Sequence, residues 1–258
     1  MLKVNQKEQF VNTRRGKIFV KTWSPNSSHS KVPLVLIHES LGSVGQWRKF
    51  PAELALAFNR PVIAYDRAGF GFSYPRQALP SSNFIQEEAQ DYFVELKQAL
   101  GIREFLVFGH SAGGAIALNV AATDKECVGL ISISAPAYVE NKTLEGIRAA
   151  KKLFTESQQF EKLRKWHGNK AQWVLDAWTE VWLRDEFKEW HFDGLSDIHC
   201  KSLIIHGSDD EFGSVAIPQY IAKHIAAETM LCIIDRCGHL PHVTHKDAVF
   251  RQISTLFN

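Results

Sequence analysis

The residues best placed to do chemistry are Gly109-His110-Ser111-Ala112-Gly113, which follow the apolar run Phe105-Leu106-Val107-Phe108. A serine with glycine two positions away on either side fits a nucleophile elbow, a sharp strand-to-helix turn that lifts a hydroxyl out of a sheet. The glycines are needed because the serine sits in strained backbone, and a Cβ on either side would collide with the adjoining strand or helix. Small residues continue through the next turns at Gly114, Ala115, Ala117, Ala121 and Ala122. Such a helix aims its N-terminus at developing negative charge, and the amide of Ala112 stands ready as one donor of an oxyanion hole.

A serine hydroxyl is a poor nucleophile at neutral pH and needs a base, which in turn needs an orienting carboxylate. Both are available later in the chain. Leu203-Ile204-Ile205-His206 is followed by Gly207-Ser208-Asp209-Asp210-Glu211, three carboxylates just past a strand's end. Met230–Ile234 is followed by Arg236-Cys237-Gly238-His239, a histidine on a glycine-preceded loop before the last helix. Among the 11 histidines, His239 follows both the serine and these carboxylates and sits on such a loop. His110 lies inside the elbow and is expected to shape it, while His242 and His245 are expected at the surface or at a helix start. Asp66 precedes the serine, and its expected work is to satisfy amides of its own loop, Asp66–Ser73. Cys237, His239 and His242 make a poor metal site because no second ligand cluster accompanies them; no metal and no organic cofactor are expected.

These groups must be held by something, and the chain alternates strand and helix patterns. A hairpin is expected over 9–14 and 17–23, then a turn-rich Ser24-Pro25-Asn26-Ser27-Ser28. Strands follow at 33–38, 62–66, 105–108, 128–134, 202–206 and 230–234. Helices are expected near 46–58, 84–100, after the elbow, and over 215–226 and 245–257. The continuous apolar character of Pro33-Leu34-Val35-Leu36-Ile37 marks a strand covered on both faces, and the alternation predicts a mostly parallel sheet. Residues 139–195 break the pattern. They read as several helices and hold five of the 7 tryptophans: Trp166, Trp173, Trp178, Trp182 and Trp190. Such an insertion looks like a helical lid. Most of these rings are expected to pack the lid itself, with one or two, Trp178 and Trp182 among them, lining a pocket.

Over nearly the whole chain this arrangement resembles the α/β-hydrolase superfamily. The resemblance implies an eight-stranded, mostly parallel sheet with helices on both faces and a helical lid insertion, divided as core 1–138, lid 139–195 and core 196–258. It implies Asp210 as the acid, with Asp209 as the fallback, and His239 as the base. It also places the second oxyanion donor in His38-Glu39-Ser40-Leu41-Gly42-Ser43, where the amide of Ser40 matches. Relatives usually carry glycine where this chain has Glu39. The stretch from His38 to Trp47 is similar to a small branch with His-Glu-x-Leu-Gly-Ser in this loop, as is Asp209-Asp210-Glu211-Phe212-Gly213. An ionised Glu39 beside the hole would oppose the charge developing there. Pairing with Arg67 is therefore expected, the alternative being that Glu39 faces the pocket and recognises a cation.

The activity this implies is hydrolysis of a small, largely apolar or aromatic ester through an acyl-enzyme, of carboxylesterase type. C–C bond hydrolysis beside a carbonyl, or a small-ligand receptor on the same scaffold, is the alternative. Dehalogenase and epoxide-hydrolase relatives use aspartate at the elbow, which Ser111 argues against, and the Gly-Gly-Pro-Gly-like loop of iminopeptidases is not matched by Glu39-Ser40-Leu41-Gly42.

Composition sets the outer limits. At 258 residues there is material for one large domain, and 45% hydrophobic with 22% charged residues are ordinary globular values. A net charge of +2, with no basic run longer than two residues, gives no stripe for nucleic acid. No apolar run approaches the roughly 20 residues of a membrane span, and Met1–Glu8 lacks the apolar core of a secretory signal. The 4 cysteines form no C-x-x-C pair and are expected as reduced, mostly buried thiols. A cytoplasmic monomer or homodimer, with no nucleic-acid or membrane partner, is expected.

Overall fold

The computed structural model describes residues 4–26 and 32–257; Met1–Lys3, and Ser27 and Ser28 of the expected turn, lie outside them. The first strands, β1 (Val4–Asn12) and β2 (Lys17–Pro25), pair antiparallel as a hairpin that begins earlier than expected. Next comes β3 (Leu34–Ile37), whose four residues are all buried. The helix expected over 46–58 is broken in two. Val44–Trp47 forms a 3-10 turn, Arg48 adopts a left-handed φ of 52°, and α1 starts afresh at Phe50–Ala57. Pro51 explains the restart, since proline has no N–H to continue an earlier helix but suits a helix's first turn.

After β4 (Val62–Tyr65), residues 84–100 run as α2 (Phe84–Glu87), a wide π turn at Glu88–Tyr92, and α3 (Phe93–Leu100). The elbow strand β5 (Phe105–His110) extends two residues further than expected and leads into α4 (Ala112–Thr123). Between β6 (Cys127–Ile133) and the next strand lie α5 (Asn141–Leu153), α6 (Ser157–His167), α7 (Ala171–Trp182) and α8 (Asp185–Lys188). The chain then forms β7 (Lys201–Gly207), α9 (Ala216–His224), β8 (Thr229–Ile234), the short α10 (Pro241–Thr244) and α11 (Lys246–Phe257).

The strands form one eight-stranded sheet in the order β1-β2-β4-β3-β5-β6-β7-β8, antiparallel through β1, β2 and β4 and parallel from there on. Alternate residues feed two cores. Val35, Ile37 and Val107 join Ile116 and Leu118 of α4 on one face. Leu36, Phe108, Ile131 and Leu203 join Leu54 of α1 and Ile253 of α11 on the other. Strand order reverses at β5, with earlier strands to one side and later ones to the other. In an open parallel sheet the crevice at such a switch point lies at the strands' C-terminal ends.

Candidate active site

Ser111 stands where β5 becomes α4, with φ 56° and ψ −123°. A Cβ on Gly109 would overlap the Gly113 carbonyl, and one on Gly113 would overlap the carbonyls of Ile37 and His38. The two glycines are therefore what lets helix and strand approach closely enough to force the turn. The turn is held by the Ser111 N–H, which donates to the Ile133 carbonyl at 2.8 Å, and by the Ser111 carbonyl, which accepts from Gly114 at 2.8 Å.

His239 and Asp210 meet from the two following loops. His239 Nδ1 lies 2.8 and 2.9 Å from the two Asp210 oxygens. An ionised carboxylate only accepts, so the proton is on Nδ1 and Nε2 is left free. Asp210 is fully buried, and its Oδ1 also accepts the Phe212 amide at 2.8 Å. Burial pushes its carboxyl up, but the hydrogen bond and charge of His239, with His206 and the Phe212 amide, more than reverse this and hold it below its ordinary value. Asp209 is exposed, and its carboxylate accepts from the Ser208 hydroxyl at 3.0 Å rather than meeting His239. The His239 main chain is clamped on both sides: its N–H donates to Glu211 Oε2 at 3.1 Å, and its carbonyl accepts His110 Nε2–H at 2.8 Å. His110 thus steadies His239 from inside the elbow. His242 stands at a helix start, the second residue of α10, and is buried rather than at the surface, its ring against His110, Trp47 and Phe50.

Ser111, His239 and Ser40 line one cavity of about 310 Å³ at the strand ends. Ala112, with its amide, directly follows Ser111 as the first residue of α4. The loop carrying Ser40 is tied down at several points. The Arg67 N–H donates to His38 Nε2 at 3.0 Å, so His38 Nδ1 carries the proton and donates to the Glu39 carbonyl at 2.8 Å. Gln46 donates to the Leu41 carbonyl at 2.7 Å, and so does His167 Nε2–H, at 2.9 Å, from the end of α6. His167 also accepts the Gly71 amide at 3.0 Å, which joins three segments through one ring. Sequence reasoning missed His167; nothing in its local pattern marks it, because its partners are distant main-chain groups.

The Glu39–Arg67 pairing expected from sequence is not what the structure holds. Arg67 Nη2 donates to the main-chain carbonyl of Glu39 at 3.1 Å, while the Glu39 carboxylate accepts the Leu41 amide and lines the cavity. The charge that most favours the Arg67 cation is Glu88, buried at the π turn. Burial outweighs the Leu41 amide and the nearby His239 and Arg67 charges, and raises the Glu39 carboxyl. Asp66 accepts the amides of Val44 at 2.6 Å and Phe72 at 2.7 Å, within and beside its own loop.

The helices between β6 and β7 supply the cavity's apolar wall through Ile147, Phe154, Trp178 and Trp182. The remaining tryptophans pack elsewhere: Trp173 on Phe70, Trp190 on Phe187, and Trp166 beside Gly45. The wall is stitched to the loop that carries Asp210, since Thr143 donates to the Phe212 carbonyl at 2.7 Å and Glu140 accepts the Ser214 amide at 2.8 Å. Among the described residues no Lys or Arg lines this cavity, no cluster of His, Cys, Asp or Glu suits a metal ion, and no helix is long and apolar enough to cross a membrane.

Residues 34–252 match the model of the alpha/beta hydrolase family. The chain is 26% identical to 2-hydroxymuconate semialdehyde hydrolase of Pseudomonas sp. (strain CF600) over 85% of its own length and 84% of that protein's. It is 36% identical over 104 residues to 1-acylglycerol-3-phosphate O-acyltransferase ABHD5 of Sus scrofa, where the match spans 38% of this chain and only 28% of the relative. Among solved structures, proline iminopeptidase of Mycobacterium smegmatis superposes with a TM-score of 0.75 at 20% identity, covering 96% of this chain and 97% of the other. At that identity the likeness is one of fold.

Proposed function

Because this chain belongs to the α/β-hydrolase family, we propose that it is a serine hydrolase acting on small, largely apolar carboxylic esters. Ser111 is the nucleophile, His239 the base and Asp210 the group that fixes the His239 tautomer. The observation that carries the reading is the His239–Asp210 contact at 2.8 Å, with Nε2 left free in the cavity that Ser111 lines. His239 takes the Ser111 proton as the oxygen attacks the ester carbonyl, and the amides of Ala112 and Ser40 receive the developing oxyanion. His239 then protonates the leaving alcohol and later activates the water that releases the acid. The segment 139–195 acts as the lid, and its Trp178 and Trp182 favour an apolar acyl or aryl group.

The relative named 2-hydroxymuconate semialdehyde hydrolase favours a second reading, C–C bond cleavage by the same three residues. Glu39 and Glu211 in a cavity without a lining Lys or Arg disfavour a carboxylate-bearing substrate, which supports neutral esters first. A panel of p-nitrophenyl esters of increasing chain length, run beside neutral aryl-ketone C–C substrates, tests the choice. Ser111→Ala is expected to lower ester turnover by about 10⁴-fold or more with the melting temperature little changed. Fluorophosphonate labelling of Ser111 without turnover of any ester would instead favour a receptor.

A further inference from the structure

Two serines of this chain stand in left-handed backbone at the ends of adjacent parallel strands. Ser111 follows β5 at φ 56°, and Ser134 follows β6 at φ 51°. The proposed reaction uses only the first. Ser134 is buried, with 3% exposure, and its N–H is taken by the Ile205 carbonyl at 2.9 Å. Its hydroxyl has no partner, yet Ser134 lines the same cavity as Ser111. Strain of this kind persists only where the surroundings impose it, and it gathers at sites that handle ligands.

His206, on the neighbouring strand β7, is equally buried and lines the cavity too. Its Nε2 faces the Gly213 carbonyl at 3.3 Å and Asp210 Oδ2 at 3.6 Å, both acceptors. The proton is therefore on Nε2, and Nδ1 is a bare lone pair; it too has no partner. Burial keeps the imidazole below its ordinary pKa despite Asp210, so the lone pair is retained. Two residues that line the cavity thus carry one unfilled acceptor and one unfilled hydroxyl, both buried, at the ends of adjacent strands, with Ala135, Pro136 and Ile217 also lining the cavity. Leaving either group unpaired sacrifices its full desolvation free energy.

We propose that Ser134 and His206 form a recognition subsite for a hydroxyl group carried by the substrate. A hydroxyl satisfies both at once: it donates to His206 Nδ1 and accepts from the Ser134 O–H. The inference rests on the ester-hydrolase reading and narrows it to esters bearing a hydroxyl on the acid or the alcohol portion.

The test compares kcat/KM for plain esters with that for partners hydroxylated at successive positions of the acyl chain, or on the alcohol. One hydroxylated series is expected to exceed its deoxy parent by about tenfold or more, and the series that does so identifies which portion occupies the subsite. In Ser134→Gly, which keeps the backbone accessible while removing the hydroxyl, the ratio of hydroxylated to plain ester should collapse toward unity. Equal turnover of both kinds by the wild type, or a ratio unmoved in Ser134→Gly, overturns the subsite, water being then the only occupant. If no ester is turned over, the ester reading fails by itself. Calorimetric binding of hydroxylated and deoxy esters to Ser111→Ala then decides the subsite: tenfold tighter binding of the hydroxylated ester, lost in Ser111→Ala/Ser134→Gly, upholds it, and equal binding refutes it.

Discussion

The loops after β3 and β7 each place a carboxyl group at the candidate site, Glu39 lining the cavity and Asp210 behind His239, and they treat it in opposite ways. Asp210 is wholly buried yet held below its ordinary pKa, because His239 and a main-chain amide face it. Glu39 is raised, because burial dominates and the Leu41 amide, with His239 and Arg67 farther off, does not offset its lost hydration. Burial opposes the charged form in both, and what each group faces decides the outcome. In the proposed reaction, one loop stores a fixed negative charge where a developing imidazolium needs it. The other keeps a weakened carboxylate next to the place where an oxyanion would form.

Replacing Asp210 by Asn breaks this contrast most severely. The amide preserves shape but offers Nδ1 no charge and tolerates the opposite tautomer, so Nε2 no longer serves as the base. A loss of about 10⁴-fold in kcat on a p-nitrophenyl ester is expected, with the fold retained. A loss under tenfold would mean that Glu211 or Asp209 takes over and that the β7 loop is not specialised.

The same rule applied to bases predicts acid lability. His38, His110, His167 and His242 are buried and face main-chain groups or other rings, with no carboxylate as partner. Burial lowers all four, His167 to about 4 and His242 to about 3. A histidine whose folded pKa is depressed binds fewer protons in the folded than in the unfolded chain. Its stability contribution is thus full above about 6.5 and is lost as pH falls toward the folded value. Denaturant midpoints should drop steadily between pH 6.5 and 4. In His167→Gln, whose amide can still donate to Leu41 and accept from Gly71, that drop should shrink by on the order of 3 kcal/mol. An unchanged pH slope would show that His167 titrates normally.

What could be read from the sequence follows from how local each signal is. The elbow was legible because Gly109 and Gly113 answer a backbone constraint set within five residues. The parallel strands were legible because burial on both faces writes unbroken apolar runs such as Leu34–Ile37. Asp210 needed the resemblance, since three carboxylates in a row look alike until one of them meets the His239 ring. The Glu39–Arg67 expectation failed because charge complementarity gives no direction: the two residues meet through a carbonyl, and Glu88 arrives from a helix that sequence spacing does not place there. His167, Ser134 and His206 were invisible as site residues for a related reason. Their meaning lies in distant or missing partners, and no periodicity encodes an unfilled hydrogen bond.

The finest test of the contrast is Glu39→Gln. The amide oxygen can still accept the Leu41 N–H, so the loop should hold while the charge goes. A carboxyl raised in the folded state is most favourable to folding at low pH and loses that favour as pH rises from its ordinary 4.5 through its raised value. The variant should therefore gain stability over wild type only above that window, which denaturation at pH 4 and pH 8 will show. On neutral esters, removing a negative charge beside the oxyanion should raise kcat by about two- to tenfold. Amine-bearing esters should respond the other way, because Glu39 and Glu211 line a cavity in which no Lys or Arg among the described residues competes for them. If neutral and amine-bearing esters shift together, Glu39 serves only to fix the Leu41 amide, and the two loops differ in construction alone.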